Sequence, residues 1–144
     1  MSHKTARIAA LSQPFEGRGL DARYLGFFDC FNGQRFFEAH EVLEELWLPQ
    51  RGGPSGAFYK GLIQLAGAFV HVQHGRPGPA QALLRLARAN LEKFPPLHEG
   101  LDVAGVLKRI EHWMARLGGS AQCSGFFSSP GEEVQLPMPA GAAA

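Results

Sequence analysis

The chain has 144 residues, 45% of them hydrophobic, with 14 Lys and Arg against 13 Asp and Glu for a formal net charge of +1. A single domain of this length buries roughly two-thirds of its unfolded surface in one core, so neither a disulfide framework nor a structural metal is required. The balanced charge gives no basis for general nucleic-acid or anionic-membrane binding, and the longest apolar run, Leu62 to Val72, holds Gln64 and His71 and is too short to cross a bilayer.

Two cysteines, Cys30 and Cys123, stand far apart and outside any CxxC pattern. They are expected as free thiols in a reducing compartment, with the cytoplasm as the default. The first residues, with His3, Lys4 and Arg7, lack the apolar centre of a signal peptide.

Residues 1–19 carry Ser12, Gln13, Pro14, Gly17 and Gly19 around a short apolar patch at Ile8 to Leu11. They read as an N-terminal arm able to dock on the rest. From Leu20, the residues Leu20, Tyr24, Phe27, Phe28 and Phe31 recur at helical spacing, and Asn32-Gly33 supplies a left-handed stop. Cys30 falls off that stripe and is expected to be a bystander.

The second predicted helix runs from about Gln34 to Gln50 and ends at Arg51-Gly52-Gly53-Pro54. At about 100° per residue, Phe36, His40, Leu43 and Trp47 share one face, bordered by Phe37 and Glu44. Glu38, Glu41 and Glu45 cluster opposite, as the solvated side of an amphipathic helix. The third helix, about Ser55 to His74, has apolar residues in almost every direction and should be central. Its polar groups Lys60, Gln64 and His71 fall within about 40° of one another on the helical wheel. Ala57, Gly61, Gly67 and Ala68 flank that strip and leave room for another backbone, water or a ligand.

A turn at Gly75-Arg76-Pro77-Gly78-Pro79 follows, with Pro79 suited to a first helical position. Ala80, Leu83, Leu84, Ala87, Leu91 and Phe94 form the stripe of a fourth helix, and Pro95-Pro96 ends it. A last helix spans about Asp102 to Leu117, with Asp102 as N-cap. Beyond Gly118 the composition turns to Gly, Ser, Pro and Ala, and residues 118–144 read as an extended or disordered tail whose Phe126-Phe127 or Leu136 and Met138 are candidates for docking. No strand-period segment, internal repeat, P-loop, GxGxxG or GxSxG is present. The expectation is one all-α domain over residues 20–117, with about five helices in a bundle or irregular array around the buried third helix.

The inward polar groups define the functional question. If the second and third helices are antiparallel neighbours, His40, Glu44 and His71 converge. Two imidazoles and a carboxylate suit zinc with an open water position, or iron or manganese if further oxygen ligands join. Glu41 would be the general base on metal-bound water, and Lys60, Gln64 and Trp47 would line or bind at the site. The segment reads HExxE, however, and lacks the second histidine of the HExxH zincins. The competing reading is a satisfied polar network, with Glu44 paired to Lys60 and Gln64 completing it, that fixes helix register in a non-catalytic interaction or dimerisation module.

The segment Phe31-Asn32-Gly33 to Trp47, together with Gly61-Leu62-Ile63-Gln64-Leu65-Ala66 and His71, resembles the proteins grouped as domain of unknown function family 309 over roughly residues 21–95. That family is described by the signature H-x-x-x-E-x-x-W/Y, here His40, Glu44 and Trp47. The resemblance implies a small, all-helical protein suggested to bind metal, with the label "predicted metal-dependent hydrolase" on some members. A small-molecule ligand, a divalent-metal cofactor and a homodimer are the expected associations, with no nucleic acid and no membrane.

Overall fold

The computed structural model describes residues 3–119, Cys123, Phe126 and residues 134–140. Among them are six α-helices: α1 (His3–Ser12), α2 (Ala22–Asn32), α3 (Phe36–Trp47), α4 (Gly56–Gln73), α5 (Pro77–Leu91) and α6 (Val103–Leu117). The described residues are all-α apart from a two-residue antiparallel pair, β1 (Leu97–His98) and β2 (Leu101–Asp102), which pairs Leu97 with Asp102 and His98 with Leu101. No helix among the described residues is long and apolar enough to cross a membrane.

Helix α4 is the centre, as its all-round apolar sequence requires, and it packs against α3 on one side and α5 on another. Two glycines allow the α5 approach. A Cβ on Gly61 would lie 3.0 Å from Leu91 Cγ, and one on Gly67 would lie 3.3 Å from Leu83 Cδ1. Phe69 of α4 ties the remaining helices together. Its ring meets Phe31 of α2 edge-on at 5.7 Å, stacks on Phe36 of α3 at 5.3 Å and meets Trp113 of α6 edge-on at 4.9 Å. Such pairs add about 0.5–1.5 kcal/mol each beyond the area they bury.

Side-chain caps mark two of the helix starts. Asp21 accepts from Arg23 N at 2.8 Å at the head of α2, and Asp102 accepts from Gly105 N at 2.9 Å at the head of α6. Several details differ from the sequence expectations. The left-handed residue after α2 is Gln34, at φ 62°, whereas Gly33 has φ −86°. Proline at the head of α5 is Pro77 and not Pro79 alone. The β1–β2 turn, with Glu99 at φ 51° and Gly100 at φ 73°, has no strand-length apolar alternation to announce it.

Three further observations concern burial. Residues 3–12 of the expected arm are the helix α1, which lies on α2 and α3 with Ile8 only 2% exposed. Gly26 admits it, since a Cβ there would lie 3.0 Å from Leu11 O. Glu41, expected on a solvated face, is 7% exposed because α1 covers it. Cys30, expected off the apolar stripe of its helix, is fully buried. In the tail, Phe126 and Leu136 are buried and Met138 is exposed, while Phe127 lies outside the described residues.

Candidate functional site

Helices α3 and α4 run antiparallel, so residues early in α3 stand opposite residues late in α4. His40 and His71 meet this way. Together with Phe37, Gly67 and Val70 they line a pocket of about 160 Å³ that opens to solvent. This is room for a hydrated ion or a ligand of a few heavy atoms. Gly67 keeps its wall low, and Phe37, 55% exposed, stacks on the His40 ring at 6.1 Å.

One turn along α3, Glu44 Oε2 lies 3.5 Å from His40 Nε2, with the two side chains 27% and 33% exposed. The pair sits at a half-buried edge rather than in the interior. The other ring nitrogen is the unusual one. Nδ1 of His40 and Nδ1 of His71 are both buried and have no hydrogen-bond partner. A buried polar atom left unpaired costs about 1–3 kcal/mol, so two on one pocket call for an explanation.

The other expected site residues are held elsewhere. Lys60 Nζ stands 4.5 Å from the centre of the Trp47 ring, a cation–π contact at the far end of the α3–α4 interface. Gln64 turns towards α5, where its Oε1 accepts from Asn90 Nδ2 at 2.8 Å, and Lys93 Nζ donates to Asn90 Oδ1 at 3.1 Å. The shared angle of Lys60, Gln64 and His71 on the wheel is real. Eleven residues at 1.5 Å rise, however, put about 16 Å of helix axis between Lys60 and His71. Phe37, Val70 and Gly67 were the missed lining residues. Phe37 bordering the His40 face and Gly67 flanking the polar strip were their only sequence signals.

Glu41 points to α1. Both of its oxygens lie 2.6 Å from Arg7 Nη2. A general-base role would require it to leave that partner and the face of α3 that α1 covers.

The donor set suits a metal in kind and falls short in number. His40 and His71 are imidazoles with nitrogens to spare, but Glu44 faces the opposite nitrogen of His40, where a carboxylate orients the ring instead of completing a coordination sphere. Among the described residues there is no group of three or more His, Cys, Asp and Glu side chains that could hold a metal ion.

A second polar cluster lies at the head of α4. Ser55 makes no side-chain cap there, because its Oγ is 3.0 Å from His98 Nε2 and 3.4 Å from Glu99 Oε1. With the hydroxyl donating to Glu99, His98 gives its Nε2 hydrogen to Ser55, so the serine is not primed as a nucleophile. The His98 ring lies 4.7 Å from both Phe58 and Phe94, and Tyr24 OH donates to Glu99 O at 3.0 Å. These contacts pin the β1–β2 turn to α2 and α4.

The polar residues of the α3–α4 interface all fall within residues 24–90, the stretch that matches the model of the family described as Domain of unknown function (DUF309). That match takes in α3 and α4 and most of α2 and α5, and so both walls of the His40/His71 pocket, while α1, α6 and the tail lie outside it. No curated protein and no solved structure matches the chain.

Proposed function

We propose that this protein binds a small ligand at the His40/His71 pocket, and that the simplest occupant is a divalent transition-metal ion, zinc first, with water or a small molecule supplying the remaining donors. The single observation that carries the proposal is the pair of buried, unpartnered Nδ1 atoms on one pocket. His40 Nε2 lies 3.5 Å from Glu44 Oε2, and a neutral His40 with its hydrogen on that nitrogen keeps on Nδ1 the lone pair that a cation requires. Each Nδ1 is covered at present, so binding turns the ring slightly, a cheap motion for half-exposed side chains.

Two imidazoles alone make a weak, open site, unlike the four-ligand closure of structural zinc. A bound metal would polarise a carbonyl or phosphoryl oxygen of the molecule it holds. The chain's own part is to present two nitrogens, orient one through Glu44 and shield one side with Phe37 and Val70. Hydrolysis does not enter the proposal, since Glu41 is engaged by Arg7.

The competing module reading is favoured by the satisfied contacts of Lys60 and Gln64, which fix register without a ligand. Calorimetric titration of the untagged protein with Zn²⁺ or Mn²⁺ separates the two. The expected result is about one equivalent bound and a rise in thermal midpoint, both lost in His40→Ala/His71→Ala. Absence of binding, or equal binding by that variant, would sink the metal reading.

A further inference from the structure

Beyond His71 the pocket face of α4 goes on for one more turn, and the residue there is His74. Helix α4 ends at Gln73, yet His74 N donates to His71 O at 3.1 Å and to Val70 O at 3.2 Å, so the winding carries on through His74, at φ −94° and ψ 8°. At about 100° per residue, His74 projects between the directions of Gly67 and Val70 and about 60° from that of His71. Those three are the residues by which α4 lines the pocket. His74 stands at the rim, about 4.5 Å further along the axis than His71. The rim itself is pinned, because Gln73 Nε2 donates to Gln34 O at 3.2 Å just ahead of α3.

The His74 ring is exposed, and among the described residues it makes no hydrogen bond, ion pair or ring contact. It therefore loses no partner on moving. A long side chain on a helix leans back over the turn before its own Cα, and here that turn holds Val70 and His71. Cβ atoms three residues apart lie about 5–6 Å from each other. Two imidazoles span that gap when each forms a bond of about 2.0–2.1 Å to one zinc ion. As placed, no three such side chains among the described residues are close enough to hold a metal. The third donor must arrive by rotation of the His74 side chain, with the helices fixed.

We propose that His74 swings onto the His40/His71 pocket as its third imidazole, making a three-histidine zinc site with one open position. The proposal rests on the ligand reading of that pocket and names the protein donor it lacks. Three imidazoles and an open fourth position are the donor set of an accessible zinc site, not of a closed structural one. Water, or the small molecule that the pocket admits, takes the fourth position.

The test titrates Zn²⁺ calorimetrically into the untagged full chain and into its His74→Ala and His112→Ala variants, with Co²⁺ replacing Zn²⁺ in a parallel absorption experiment. His112, exposed on α6, controls for non-specific binding at surface histidines. The unaltered chain is expected to bind Zn²⁺ at least about tenfold more tightly than His74→Ala, since even residues that only orient a ligand contribute about 10–100-fold. His112→Ala should match the unaltered chain. The Co²⁺ complex should show the strong visible band of a four-coordinate ion, fading in His74→Ala to the faint absorption of a six-coordinate one. Equal Zn²⁺ affinity with and without His74, or a Co²⁺ spectrum that His74→Ala leaves unchanged, overturns the proposal and leaves the two-imidazole reading standing. A comparable loss in His112→Ala overturns it as well. No Zn²⁺ binding by the unaltered chain overturns both readings together.

Discussion

Lys60 separates a binding role from a packing role more cleanly than any other residue of the expected site. Its ammonium sits over the Trp47 ring at 4.5 Å, and it does not line the His40/His71 pocket. A cation–π contact at a partly exposed position contributes about 0.5–1 kcal/mol. Lys60→Met keeps the aliphatic stem and loses the charge, so the urea midpoint is expected to fall by a corresponding amount, with ligand affinity at the pocket unchanged. A tenfold loss of affinity would return Lys60 to the site. The residue types and their angles were legible from the sequence, because 3.6 residues per turn fixes direction. Distance along the axis, and the partner Asn90 that turns Gln64 away, depend on how α3, α4 and α5 are offset, and no residue pattern encodes that offset.

At the scale of elements, α1 is the piece that sequence pattern under-reads. Ile8 and Leu11 are too few to announce an amphipathic helix. What fixes α1 is tertiary: the bare Gly26 under Leu11 O and the Arg7–Glu41 pair. Glu41 is nearly buried while the Arg7 side chain is 49% exposed, so solvent weakens the ion pair and the main effect is a carboxylate left with its best donor removed. Arg7→Ala is expected to cost about 1 kcal/mol and to speed amide exchange in α1 selectively. Glu41→Gln added to Arg7→Ala should recover part of that loss, since a neutral amide is cheaper to keep unpaired. If exchange quickens equally in α4, α1 is not a separable element. The same limit explains the β1–β2 turn and Gln34, whose positive φ values are imposed by what they join. Gln34 O accepts from Gln73 Nε2 at 3.2 Å, and Glu99 O accepts from Tyr24 OH.

For the molecule as a whole, five of the six helices are readable from apolar periodicity, and one consequence of their packing is a core that holds weak acids. Burial pushes the Cys30 thiol up from 9.0 to about 11, with Arg35 opposing the rise and Asp29 and Glu38 adding to it. Burial, then the carboxylate of Glu99, pushes the Tyr59 hydroxyl up from 10.0 to about 12, and burial raises Tyr24 still further. Each group is held neutral in the fold. The unfolded chain therefore ionises first as pH rises, and the stability these groups contribute is complete below pH 9 and falls through the interval up to their folded values. For Cys30 that interval is pH 9 to 11, and the loss across it is at most roughly 3 kcal/mol. Urea midpoints measured at pH 8, 9, 10 and 11 should decline steadily, and Cys30→Ala, though less stable at pH 8 for want of the sulfur, should decline less steeply between pH 9 and 11. An unchanged slope in Cys30→Ala would assign the alkaline loss to Tyr24 and Tyr59, whose titration sets in only above pH 10, and would show that the thiol is wetter than its full burial implies.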